Sequence, residues 1–173
     1  MSYVGVIPYA YYNNELFFLL GKEHQEDGWK DAGKWAHFGG GSEESDRTMR
    51  DGAARECYEE SMGFLGSLVE IKSKLGQEIR SPGRFTYLMR IEFDQNLPKT
   101  YYNVYQYFSR CTRPHPEKPG FNYLPSCPNG YFEKTEIDWF SESELRALLK
   151  ERSEILRPKF SEIMRHIFST IKF

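Results

Sequence analysis

Two segments near the start of the chain, YVGVIPYAY (3–11) and ELFFLL (15–20), are apolar or alternate apolar with polar positions. Both are rich in aromatic and β-branched residues. The Asn13-Asn14 pair between them tolerates the positive φ of a tight turn, so the pattern predicts an opening antiparallel hairpin. The charged, glycine-containing residues 22–33 predict a loop, and KWAHFGG (34–40) a short strand that ends at glycines. A helix is expected from Arg47 or Thr48 to just before Gly63, then an amphipathic stretch from Val69 to Ile79 and a strand over RFTYLMRIEF (84–93). In TYYNVYQYFSRC (100–111), Tyr101, Val104, Tyr105 and Phe108 recur at i, i+3, i+4, i+7 and Thr100 can cap, which predicts a helix. Residues 112–130 hold five prolines and four glycine or asparagine turn formers, and read as a long ordered loop. TEIDWF (135–140) is a closing strand, ESELRALLKE (142–151) a helix, and Pro158 to Ile171 the last helix. No repeat or linker divides the chain, so residues 1–173 are expected to form one domain containing both α and β structure.

Composition narrows the class. Charged residues at 28% and aromatics at 16% describe a globular protein, and a formal net charge of −2 gives no global attraction to DNA, RNA or an anionic membrane. No apolar run approaches the roughly 18 residues of a membrane span, and the first residues lack the basic start and cleavage site of a signal peptide. Cys57, Cys111 and Cys127 form neither an even framework nor a paired metal spacing, and the four histidines lack zinc-like spacing, so a cytoplasmic, reducing environment is expected.

The chemistry concentrates in FGGGSEESDRTMRDGAARECYEESMGF (38–64), where three glycines precede a short helix carrying Arg55, Glu56, Glu59 and Glu60. Successive helical residues turn by about 100°, so the three glutamates share one face. Ala54, Cys57 and Tyr58 offer an apolar side to bury. Like charges at these spacings destabilise an isolated helix, and a cation would relieve them. Clustered carboxylate oxygens suit Mg²⁺ or Mn²⁺.

At these residues the sequence resembles the Nudix hydrolases, whose signature reads G-x5-E-x7-R-E-U-x-E-E-x-G-U, with U apolar. Gly41 takes the leading glycine, with Gly40 before it; Arg55 and Glu56 take the R-E pair, Cys57 the apolar position, and Glu59 and Glu60 the paired acids. Two positions depart from the pattern. Arg47 stands where the family has its first glutamate, with Glu43, Glu44 and Asp46 just upstream, and one extra residue separates Glu60 from Gly63. The resemblance implies an α/β fold, an α/β/α sandwich around a mixed sheet. It implies Mg²⁺ or Mn²⁺ held principally by Glu56 and Glu60, with Glu59 as an additional ligand and the Gly41 or Gly40 carbonyl as a backbone ligand, and Arg55 bracing the loop. It also implies a further acid just before the closing strand, for which Glu133 is best placed and Glu136 second. Glu56, Glu59 and Glu133 are the expected catalytic groups.

By the same resemblance the activity is metal-dependent hydrolysis of a pyrophosphate bond in a nucleoside-diphosphate-linked substrate. The chain is also similar to Nudix proteins of some large DNA viruses, which points to mRNA decapping in the host cytoplasm. A small nucleotide or a diphosphoinositol polyphosphate fits the balanced charge as well. Arg47 in place of an acid also admits a non-catalytic nucleotide-binding module.

Overall fold

The computed structural model describes residues 1–25, 30–114, 116, 122–128 and 130–173. The chain opens with strands β1 (Tyr3–Tyr12) and β2 (Glu15–Glu23), paired antiparallel around Asn13 and Asn14, which take φ of 50° and 62°. β3 (Trp35–Ala36) returns alongside β2, and β4 (Phe38–Gly41) pairs antiparallel with the first residues of β1, Tyr3 opposite Gly41. Helices α1 (Met49–Glu60) and α2 (Leu68–Lys74) follow, then the antiparallel pair β5 (Leu75–Ser81) and β6 (Arg84–Arg90). β6 lies parallel to β1 from Tyr3↔Arg84 to Tyr9↔Arg90, which makes the sheet mixed. After α3 (Leu97–Ser109), a two-stranded ribbon of β7 (Arg113–Pro114) and β8 (Asn122–Tyr123) stands apart. β9 (Lys134–Ser141) pairs antiparallel with the outer edge of β2, and α4 (Glu142–Glu151) and α5 (Pro158–Thr170) complete the chain.

The period-2 alternation of strand side chains divides the interior in two. Val4, Val6, Leu19, Phe38, Tyr87 and Met89 face one way and pack with α1, α2 and α3. Ile7, Phe18, Leu20 and Leu88 face the other and pack with α4 and α5 through Leu145, Phe160, Met164 and Ile167. The result is the three-layer α/β arrangement with a central mixed sheet. Each fully buried Leu, Ile or Phe in these layers contributes about 2 kcal/mol of apolar burial.

Several boundaries differ from the sequence reading for local reasons. The stretch from Val69 to Ile79 divides into α2 and β5: Ser67 and Glu70 form a reciprocal capping box that starts the helix, and the strand takes over at Leu75. α3 begins at Leu97 with Pro98 in its first turn, so Thr100 lies inside the helix and does not cap it. β6 stops at Arg90, short of Phe93, whose ring instead packs against Tyr12, Phe17 and Trp139. Within the expected loop of 112–130, the β7–β8 ribbon is regular structure; residues 115, 117–121 and 129 lie outside the described residues.

Candidate functional site

α1 starts where the Thr48 side chain accepts a hydrogen bond from the Asp51 amide. It ends at Glu60, after which Met62 (φ 50°) and Gly63 (φ 74°) both adopt left-handed backbone and the Gly63 amide donates to the Tyr58 carbonyl at 2.8 Å. The extra residue relative to the family spacing is thus absorbed in the turn. A methionine in this conformation costs about 1 kcal/mol, which burial of the turn offsets.

Arg55 is the hub of the glycine loop. Its Nε and Nη2 donate to the two Asp46 oxygens, each at 3.1 Å, and Nη2 donates to the Gly41 carbonyl at 3.0 Å. Nη1 reaches Glu56 at 2.9 Å and Glu59 at 3.2 Å, with Glu43 at 3.6 Å. The forked pair holds Asp46 below the usual carboxylate range even though partial burial works the other way. Gly52 is required for this contact, since a Cβ there would stand 2.6 Å from Asp46 Oδ2. Asp46, one position before the exposed Arg47, is thus the upstream acid that Arg55 engages through both Nε and Nη2, and the guanidinium links this loop to α1.

The three helix acids are not a solvated face. Glu56 and Glu60 are buried and Glu59 is half-buried. Burial pushes the Glu56 carboxyl up to about 7; Arg55 opposes this, and the charges of Glu133 and Glu59 add to it. Glu59 is raised from the same causes, burial first, with Arg55 against and Glu43 and Glu133 in support. The Glu133 charge, from the loop before β9, is felt at these acids, whereas Glu136 pairs across the sheet with Lys22 at 2.9 Å.

Glu60 is placed differently from its neighbours. The resemblance makes it a metal ligand, and in the structure both of its oxygens meet protein groups: the Gly39 amide donates to Oε2 at 2.6 Å, and Lys134 Nζ lies 3.3 Å from Oε1. Lys134 is completely buried, its stem lying over Gly21, and it also contacts Glu23. Arg157 reaches Glu23 at 3.0 Å and Asp31 at 3.4 Å, extending the chain of alternating charges across the sheet edge. Burial alone would lower the Lys134 ammonium, but Glu60 and Glu23 beside it win and keep it charged. Burial likewise pushes Glu60 well up, against the pull of Lys134. The Tyr101 hydroxyl meets the Glu60 carbonyl at 3.1 Å and the Lys134 carbonyl at 2.9 Å. Nothing in the sequence marked Lys134, Glu23 or Arg157 as partners of this site, because each is one charged residue in a segment read as strand, loop or helix start.

The donor set suits a hard divalent cation. Glu56 and Glu59 are held close together with the Glu133 charge acting on both, and two glycines let carboxylates lie against backbone. A Cβ on Gly40 would be 2.6 Å from Glu56 Oε2, and one on Gly130 would be 2.8 Å from Glu59 Cβ. Among the described residues no three acid, histidine or cysteine side chains already converge on one point. Arg55 Nη1 sits between Glu56 and Glu59, at 2.9 and 3.2 Å, as their counter-charge.

A family model described as NUDIX domain matches residues 3–161. The Nudix domain of Shewanella oneidensis NrtR, solved with ADP ribose, superposes with a TM-score of 0.51 at 12% identity, covering 98% of this chain and 87% of that one. A C. elegans Ap4A hydrolase superposes with a TM-score of 0.50 at 13% identity, covering 96% and 94%. Over 57 residues the chain is 44% identical to uncharacterized protein L534 of Acanthamoeba polyphaga mimivirus, a match that covers 33% of this chain and 18% of that protein.

Proposed function

This chain belongs to the Nudix family, and from that premise we propose that it is a Mg²⁺- or Mn²⁺-dependent hydrolase that cleaves the pyrophosphate link of a nucleoside-diphosphate-linked substrate. The observation that supports the reading is the Glu56–Glu59 pair of α1, bridged by Arg55 Nη1 at 2.9 and 3.2 Å, with Glu56 lying against the Gly40 backbone and the Glu133 charge also acting on both acids. When bound, the ion neutralises phosphoryl oxygens and lowers the pKa of a bound water. Glu56 and Glu59 hold it, and the Gly41 carbonyl, which accepts from Arg55, keeps a second lone pair for it. Glu133 takes the proton of the attacking water. Arg55 and Asp46 fix the loop that carries the glycines, and Glu60 fixes the Gly39 amide from behind, with Lys134 as its counter-ion.

The substrate is proposed at the level of class: a small nucleotide, a diphosphoinositol polyphosphate or a capped RNA, each presenting a pyrophosphate to the same acids. The test is a screen of these compounds with Mg²⁺, with Mn²⁺ and with chelator, the products identified by mass. Metal-dependent release of a monophosphate product is the expected outcome. Cleavage that persists in chelator, or binding without cleavage under both metals, overturns the reading, the latter in favour of a nucleotide-binding module.

A further inference from the structure

On the opposite side of β4 from the carboxylates lies a small cavity of about 80 Å³, lined by Tyr3, His37, Arg84, Arg157, Lys159 and Phe160 together with Asp31. This is several times the roughly 10–15 Å³ needed to seat one water. His37 is 2% exposed, its ring stacked on Phe160 at 5.5 Å, and neither ring nitrogen has a hydrogen-bond partner. A neutral imidazole carries one N–H donor and one acceptor, and leaving both unmet in the interior is costly. Burial first, and then the positive charges of Lys134, Arg157 and Arg84, keep this ring neutral, so the field at His37 is positive.

The first turn of α5 opens onto the same space. Arg157 is its N-cap residue, no side chain caps it, and Pro158 at the first position has no N–H, so the backbone donors there come from Lys159 and Phe160. Arg157 is committed to Glu23 and Asp31, whereas Arg84 lies over the Tyr3 ring and exposed Lys159 reaches Glu162 at 3.3 Å. Arg84, which pairs with no carboxylate among the described residues, exposed Lys159, an uncapped helix start and an unmet imidazole converge on one cavity, which the Arg157–Asp31 pair helps to line.

We propose that this cavity binds a small tetrahedral oxyanion, phosphate above all, held by the His37 N–H, the Arg84 guanidinium, the Lys159 ammonium and the first turn of α5. Its size admits a phosphate group and excludes a nucleoside, so a nucleotide can enter only by its terminal phosphate. The site is separate from the Glu56 group and does not rest on the hydrolase reading.

The experiment follows the His37 ring nitrogens by ¹⁵N NMR while inorganic phosphate is titrated into metal-free protein, with adenosine monophosphate in a parallel arm. A saturable shift is expected. Lys159→Gln and Arg84→Gln should each weaken apparent affinity by about tenfold, the loss of one charge-assisted contact. Glu59→Gln should change it by less than about threefold, since its carboxylate lies on the other side of the strand. A shift with both ligands assigns the site to phosphate esters as well as the free ion; a shift with inorganic phosphate alone assigns it to the free ion. No saturable shift, or equal affinity in wild type and Lys159→Gln, overturns the proposal. Lys159 is exposed, so its loss leaves the fold intact and the second result is decisive.

Discussion

The two sides of the segment from His37 through β4 to Gly41 carry opposite charge. Toward α1 the chain gathers Glu56, Glu59, Glu60 and Glu133; toward α5 it gathers Arg84, Arg157 and Lys159 around a neutral imidazole. One short strand serves both because alternate residues face alternate layers: Phe38 enters the α1 core while His37 stacks on Phe160. Charge of one sign is kept from cancelling charge of the other by a single thickness of sheet. The interior pairs Glu60–Lys134 and Glu23–Arg157 are where the two sides connect, and there the charges are matched. The lesson is that a charge excess left unmatched, as where Glu43, Asp46, Glu56 and Glu59 share the single Arg55 guanidinium, separates groups poised to meet a ligand from the pairs that hold the scaffold.

The largest expected effect comes from breaking the matched region. Lys134→Met removes the ammonium between Glu60 and Glu23 and leaves buried carboxylates facing each other, which should cost about 3–5 kcal/mol. Urea unfolding measures this, and a loss under 1 kcal/mol would show that the acids reach water or take up protons freely. On the unmatched side, Glu133→Gln should lower kcat by about one to three orders of magnitude with KM changed less, the pattern of a lost transition-state interaction. Steady-state kinetics on the cleaved substrate decide it, and a kcat near wild type removes Glu133 from the chemistry. Asp46→Asn weakens the fork to Arg55 and should reduce activity by about tenfold, or roughly 1.4 kcal/mol of barrier. Arg47→Glu, at an exposed position, should leave activity within about threefold, so equal losses in the two variants would refute the assignment of Asp46 as the loop acid.

A smaller effect should appear with pH. Glu56 titrates near 7, above its unfolded value, so the folded protein holds a proton there that the unfolded chain releases. Its contribution to stability is present below the ordinary carboxylate range and is lost as pH rises through about 7. In chelator, Tm should fall by a few degrees between pH 5 and pH 8, and Mg²⁺ should restore it at pH 8. Thermal melts in the four conditions check both halves; a Tm independent of metal at pH 8 would mean that Glu56 is neutralised by the protein alone. Least affected should be Glu136→Gln, whose partner Lys22 is on the sheet surface and whose pair is worth at most about 1 kcal/mol.

The sequence was legible where a residue's role depends on its near neighbours. The β1–β2 turn and the span of α1 agree with the structure, and the contacts of Arg55 with Asp46 and the Gly41 carbonyl lie between residues close in sequence. Boundaries failed where local caps competed with periodicity, as at Ser67 and Pro98. The inward placement of Glu60 was not legible, because its partners Lys134 and the Gly39 amide are remote in sequence and become neighbours only when β9 and β4 join the sheet. His37 next to the glycines was noticeable, but its unmet nitrogens depend on Phe160, near the far end of the chain.

The Tyr101 hydroxyl, shared between the carbonyls of Glu60 and Lys134, ties the end of α1 to the start of β9 through α3. A hydroxyl has one proton, so the two contacts report on a single point that both segments must occupy together. Opening either segment alone would strand a buried carbonyl, and the two are therefore expected to open as one unit. In hydrogen exchange, amides at the C-terminal turn of α1 and the first residues of β9 should share one opening free energy, and Tyr101→Phe should split it into two. The acids of α1 and the loop acid Glu133 would then keep their spacing through thermal motion because their supports move as one body.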